Sequence, residues 1–418
     1  MTSREPQHLS SFTWLDYSEA DRRRALDVVS HFREQEARDE LGLGAIRDTF
    51  SDLLFPGVST IQTRARYFLF VPWIMRAAEG RGLGRREMAD AVKRREIVLI
   101  NSLVKAGETN GVIGIEARQA LKRHASDIYW LGLGTWGIRE FQGSRSSYYA
   151  FVETYRPQGR KKVDWENEAE LVDLVASARS WHHCLPPTPK GFPWEASLEL
   201  RREDAEFLKD RILISPGSQR SMLAGMLALG QADDAARFPW EYDARTNLPD
   251  HVQLWLRHAG LVSTLVYGAL SLYHLLLARD MGREDLVASF SSTLTEWAVV
   301  ELGASMPAFR AWDRDEFWRI VREDGNGSVS QAAETFLNSW WDLVLEGPAQ
   351  TISSAAAENL IRNREFKLKG KRARLTDQHA RELWSGETRP YHINYRWPVA
   401  KTIVADILNG LGGGMDDA

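Results

Sequence analysis

AGLVSTLVYGALSLYHLLLA, from Ala259 to Ala278, is the most apolar run of the sequence, interrupted only by Ser263, Thr264, Ser271 and His274. Its twenty residues are long enough to span a bilayer. Tyr267, Tyr273, His274 and two serines add polar load, however, and Arg257 and Arg279 flank the run without an aromatic belt or a second such segment. A helix that is apolar all round and not in lipid belongs at the centre of a core. The reading is therefore a buried central helix over 259–278 and no membrane span.

Helical spacing continues on both sides of this run. Leu198, Leu200, Phe207, Leu208 and Ile212 precede it, and Trp297, Trp312, Trp318, Trp340 and Trp341 follow in shorter apolar patterns. Sixteen Trp in 418 residues are expected mainly in the core, since an indole carries a large apolar body and a single donor. Toward the N-terminus, Ser18 and Asp21 open a helix to Glu40 in the manner of a capping box. Ile46, Phe50, Leu53 and Leu54 repeat the pattern up to Pro56-Gly57. Thr60 to Glu79 resumes it with a kink near Pro72, and Gly84 to Ala106 gives a further helix.

The texture changes at 115–155. Ile115 to His124 reads as a short helix, and the aromatics Tyr148, Tyr149, Phe151 and Tyr155 suit short strands, so a small α+β unit of winged-helix type is expected there. An acidic helix from Trp165 to Trp181 and Pro186-Pro187-Thr188-Pro189 then mark a connector. The expected organisation is a mainly α, multi-helical protein. It comprises an N-terminal helical domain over 1–162, a connector over 163–195 and a C-terminal helical domain over 196–418.

Composition excludes several classes. A net charge of −4 from 53 basic and 57 acidic residues does not mark the whole chain as a nucleic-acid binder. The single cysteine, Cys184, excludes a disulfide framework and fits a reducing cytoplasm, and Met1 to Ser11 holds no secretory h-region.

Charge becomes informative once the chain is divided. Between Ala117 and Lys162 nine basic residues, among them Arg118, Lys122, Arg123, Arg139 and Arg145, face three acidic ones. Between Arg362 and Arg374, the cations Arg362, Arg364, Lys367, Lys369, Lys371, Arg372 and Arg374 face Glu365 alone. Each island carries +6, leaving −16 on the remainder. Two cationic islands on an acidic body suit phosphate contact with little nonspecific adhesion. The first interleaves its cations with Tyr129, Trp130, Trp136, Phe141, Tyr148 and Tyr149, which could stack on bases. The second, over 364–375, alternates well enough for a basic β-hairpin turning at Gly370. For both, a solvated charged surface is the plainer alternative.

Catalytic motifs are weak. Gly132, Gly134 and Gly137 satisfy G-x-G-x-x-G without the preceding parallel strand, and Gly370-Lys371 is followed by Arg372, not Ser or Thr. Glu365-Phe366-Lys367 has the E-x-K form of metal-dependent nucleases, whose carboxylate holds Mg²⁺ while the Lys meets developing charge. His182-His183-Cys184 contains soft ligands, but adjacent residues rarely converge on one ion, so the triplet reads as packing. No cofactor or metal site is expected.

Four sets of residues carry a resemblance. They are Arg64-Ala65-Arg66-Tyr67-Phe68 with Val71-Pro72-Trp73, Ile128-Tyr129-Trp130 with Trp136-Gly137-Ile138, His258-Ala259 with Gly268-Ala269 and Leu272-Tyr273, and Leu368-Lys369-Gly370 with Tyr395-Arg396-Trp397-Pro398. Together they resemble an uncharacterised bacterial protein family over nearly the whole chain. That resemblance implies a setting in anti-phage defence islands, beside helicase, methyltransferase and phospholipase-D-like nuclease genes, and no particular chemistry. The expected function is a non-catalytic, cytoplasmic subunit or adaptor of a defence complex that touches nucleic acid, DNA first, through both islands. The alternatives are a metal-dependent nuclease centred on Glu365 and Lys367, and a pure protein-interaction scaffold.

Overall fold

The helix foreseen at 259–278 runs from Asp250 to Asp280 in the computed structural model, which describes residues 39–79, 81, 83–154, 180–325, 329–347 and 351–412. Pro249 presets its entry and Asp250 complements the positive helix end. Gly282, at φ +65 in the left-handed region, turns the chain out, with Gly282 N–H bonded to Arg279 O and Arg283 N–H to Ala278 O. Around it pack the helices Gly44–Leu54, Glu284–Glu296, Leu302–Arg310, Gln331–Glu346 and Ala355–Lys369. Protein, not lipid, is what its apolar surface meets: Leu265, Leu272, Leu277 and Ala278 are fully enclosed.

The indoles explain how the neighbours sit so close. Trp297 Nε1–H donates to Thr264 O at 2.8 Å, Trp340 Nε1–H to Leu265 O at 2.9 Å, and Tyr395 O–H to Ala259 O at 2.9 Å. A helical carbonyl has a second lone pair, so each ring satisfies its polar atom on the central helix while burying its apolar body there. Trp297 lies flat against Gly268, where a Cβ would stand 2.2 Å from the ring. Trp73, Trp136, Trp340, Trp341 and Trp397 are likewise fully buried, as the composition suggested.

The helices Tyr67–Glu79, Arg85–Lys105 and Ala125–Thr135 pack together ahead of the central helix, close to their expected bounds where the sequence named them. Arg64 tethers this group to the last helix, Trp397–Gly412. Its Nε lies 3.0 and 2.9 Å from the two Asp406 carboxylate oxygens, and Ala65 N–H donates to Asp406 Oδ2 at 2.8 Å. Asp204, enclosed on the helix Arg202–Ile214, receives Arg201 at 2.8 and 2.7 Å and stands 3.4 Å from Arg66.

Two expectations are overturned. Among the described residues every regular element is helical, and β pairing is confined to one bridge between Arg139 and Trp181. The segment 115–155 is thus no winged-helix-like α+β unit. It forms a 3₁₀ turn at Arg118–Ala120 and the helices Ala125–Thr135 and Arg145–Thr154. Ser144 Oγ accepts Ser147 N–H at 3.1 Å and starts the second helix. Tyr148 packs on Trp130, Phe141 and Trp181, so tertiary packing overrides the aromatics' strand preference.

The basic hairpin at 364–375 is also absent. Those residues finish the helix Ala355–Lys369 and turn through Gly370–Arg372. Ser354 Oγ caps that helix from Ala356 N–H at 3.2 Å, and its buried positions Ala357, Ile361, Arg364 and Glu365 follow a helical period. The alternation that suggested a strand came from Phe366 and Leu368, which are exposed. The helix expected over 18–40 and the acidic helix of 165–181 lie outside the described residues, except for their last one or two positions.

Replacing Gly268 with Ala is expected to lower stability by roughly 1–3 kcal/mol through overpacking against Trp297. The same change at Gly303, a helical position with nothing within 4 Å of a built Cβ, is expected to be neutral or to stabilise by about 0.5–1 kcal/mol. Paired urea denaturation curves check both.

Candidate nucleic-acid interface

The second island divides into cations that hold the fold and cations that face solvent. Arg362 forms a two-pronged pair with Asp280 at 2.6 and 2.9 Å, and that hydrogen-bonded carboxylate holds its guanidinium above the ordinary value. Arg364 is buried; it donates to Leu41 O at 2.8 Å and Gly42 O at 3.0 Å, lies over the Phe336 ring, and burial lowers its pKa. Lys369 reaches Glu365 at 3.2 Å and Arg374 reaches Glu40 at 3.4 Å. Lys367, Lys371 and Arg372 remain on the surface, within a few residues of Phe366, which is 53% exposed.

Glu365, the acid of the E-x-K triplet, is fully enclosed. It accepts Tyr273 O–H at 2.6 Å, Lys369 Nζ at 3.2 Å, Arg374 N–H at 3.1 Å and Leu375 N–H at 2.9 Å. Three of those donors converge on Oε1 and one on Oε2, and full enclosure leaves a hydrated metal ion no approach to the carboxylate. Lys367, two residues on along a helix, sits on a different face, in solvent.

The first island divides in the same way. Arg139 is buried, stacks its guanidinium 4.6 Å from the Trp130 ring centre and donates to Phe141 O, and burial lowers its pKa. Arg145 is paired with Asp127 and bonded to Ser126 Oγ. Arg118 adopts left-handed backbone at φ +46 and bonds Ile115 O at 2.6 Å and Asn101 Oδ1 at 2.8 Å. Lys122 and Arg123 are exposed beside the start of the helix Ala125–Thr135. The aromatics Tyr129, Trp136 and Tyr148 are core, and the cations at 156–162 lie outside the described residues.

A family profile with the description "family of unknown function (DUF6361)" matches residues 9–410. The chain belongs to DUF6361. No curated protein and no solved structure matches it.

Sequence reasoning missed two buried acid–imidazole pairs in this DUF6361 chain. Glu40 Oε2 lies 3.3 Å from His274 Nε2, while His274 Nδ1 meets Leu270 O at 2.8 Å. A carbonyl accepts only, so Nδ1 carries the hydrogen and Nε2 offers a lone pair. Burial pushes Glu40 up to about 7, against the pull of Lys369 and Arg374, and holds His274 down at about 4. A neutral acid beside a neutral ring is the arrangement that suits both shifts. Glu96, pushed by burial to about 7 while accepting Ser126 N–H at 2.7 Å, stands 3.5 Å from His124, which burial also lowers. Each pair spans elements far apart in sequence, so only the placement of His274 inside an apolar run could have flagged one of them.

Glu40, raised from 4.5, contributes stability that is complete below about pH 4.5 and is lost as pH rises through about 7. His274, lowered from 6.5, contributes stability present above that value and lost as pH falls toward about 4. Glu40→Gln keeps a donor toward Nε2 and removes only the acid's titration. Relative to the parent, this variant is expected to gain on the order of 2 kcal/mol between pH 5 and pH 8, read from urea unfolding at several pH values.

Proposed function

We propose that this protein is a non-catalytic subunit or adaptor of a bacterial anti-phage defence complex, working in the cytoplasm and touching nucleic acid, DNA first, through surface cations. The observation that carries the reading is the exposed group at the end of the helix Ala355–Lys369, where exposed Lys367, Lys371 and Arg372 follow within six residues of an exposed Phe366. Cations at a helix C-terminus also suit the helix dipole, so charge alone would say little. An aromatic ring left more than half in water beside them is what stacking on a base requires. Lys122 and Arg123 add a second small patch.

So few surface cations make a weak site, which fits an adaptor whose partners, such as a helicase or nuclease, supply the rest of the grip. The defence setting rests on the resemblance of the four motif sets. The nuclease alternative loses support because Glu365 is sealed from solvent and already accepts four donors.

About three phosphate contacts would give a slope near −3 when log affinity for duplex DNA is plotted against log salt. Lys367→Glu with Lys371→Glu is expected to weaken binding to all sequences alike and lower the unfolding midpoint only slightly, through the helix dipole, whereas Arg364→Ala lowers that midpoint strongly. Fluorescence anisotropy at several salt concentrations, with single- and double-stranded DNA and RNA, reads the first effect. No shift at low salt, with partner proteins also present, would leave the scaffold reading.

Incubation of the purified protein with DNA and RNA in Mg²⁺ and in Mn²⁺ is expected to give no cleavage. Cleavage that disappears in folded Glu365→Gln and Lys367→Ala variants would replace the adaptor by a metal-dependent nuclease.

A further inference from the structure

The triplet His182-His183-Cys184, which adjacency alone assigns to packing, has a geometry that packing does not require. One ligand atom from each side chain lies within 4.8 Å of the others. His183 and Cys184 are exposed, and the two imidazole rings stack with centres 4.5 Å apart.

The backbone that presents them is fixed on both sides. Before the turn, Trp181 is buried and its indole N–H bonds Glu79 at 2.9 Å, while His182 N–H bonds Ile138 O at 2.8 Å. After it, Leu185 is buried and its N–H closes the turn on His182 O at 3.0 Å, and Pro186 O accepts the Trp73 indole at 2.8 Å. Three soft donors are therefore held out from a rigid base, and their convergence needs no backbone movement.

We propose that His182, His183 and Cys184 form a surface site for a borderline-soft divalent metal ion, zinc being the best fit, with the fourth coordination position open. Two imidazoles and a thiolate match that class of ion, and three protein ligands leave room for a water or a partner's side chain. Donors around tetrahedral zinc stand about 3.5 Å apart. Closing from the observed spacing takes rotation of the exposed His183 and Cys184 side chains, release of the Cys184 N–H from His182 Nδ1, and movement of Arg211.

His182 Nδ1 lies on the thiol side of the turn and accepts Cys184 N–H at 3.2 Å, a bond that must open for this nitrogen to take the metal. The ring's Nε2 faces the Arg211 guanidinium. Metal at Nδ1 obliges Nε2 to carry a hydrogen, so Arg211 must swing away, and its positive charge opposes binding.

Cobalt(II) alone, titrated into the full chain without oxygen or added thiol, tests the site. One equivalent is expected to give a thiolate-to-cobalt charge-transfer band with tetrahedral visible absorption, and zinc is expected to displace it. Cys184→Ser should abolish the charge-transfer band, His183→Ala should weaken binding roughly tenfold or more, and Arg211→Ala should tighten it. Thermal unfolding of the metal-free Cys184→Ser and His183→Ala variants, both at exposed positions, should match the parent. Absence of the band, its survival in Cys184→Ser, or unchanged affinity in His183→Ala overturns the proposal.

Discussion

Glu365 is fully enclosed, and the four donors that satisfy it come from three parts of the chain. Tyr273 belongs to the central helix, Lys369 to the same helix as Glu365, and the Arg374 and Leu375 amides to the turn that follows. Leaving such a group with a partner missing typically costs about 3–5 kcal/mol, far more than an exposed pair contributes. The carboxylate therefore fixes how the helix, the turn and the central helix meet. Beside it Arg364 collects the carbonyls of Leu41 and Gly42, and a Cβ at residue 42 would stand 2.7 Å from that guanidinium, so only glycine allows the approach. Glu40, His274 and Arg374 complete the cluster.

The central helix supplies the other half of the organisation. Its carbonyls receive Trp297, Trp340 and Tyr395 in addition to their own helical donors. Aromatic residues from widely separated segments are thereby positioned by direction as well as by area. Apolar contact alone tolerates sliding; an N–H aimed at one carbonyl does not.

The central helix was legible because twenty nearly uninterrupted apolar residues leave few alternatives. The basic segment was misread for a definite reason. Phe366 and Leu368 are exposed, so the apolar pattern there has nothing to do with burial, whereas the residues that do pack, Arg364 and Glu365, are charged. The island arithmetic was correct as a sum and silent about allocation. Arg362 finds Asp280 across 82 residues, and no local window contains both. In the first island the strand preference of the aromatics was followed, whereas Ser144 Oγ accepts Ser147 N–H and starts a helix. The Glu40 and Glu96 pairs left no local signature, since an acid in a polar stretch looks solvated until its partner in a distant helix is known.

Arg64 and Asp406 have an implication for synthesis. Their residues are separated by 342 positions, and Asp406 lies on the last helix. At the usual pace of translation, the acid leaves the ribosome roughly 17–70 s after the arginine. For that interval Arg64 and the Ala65 amide exist without the carboxylate that receives them, and the helix Arg202–Ile214 exists without the helix that packs on it. The nascent chain must therefore keep the buried face of the helix Arg202–Ile214 and the Arg64 guanidinium open until Asp406 arrives, which makes its production sensitive to early termination and to chaperone supply.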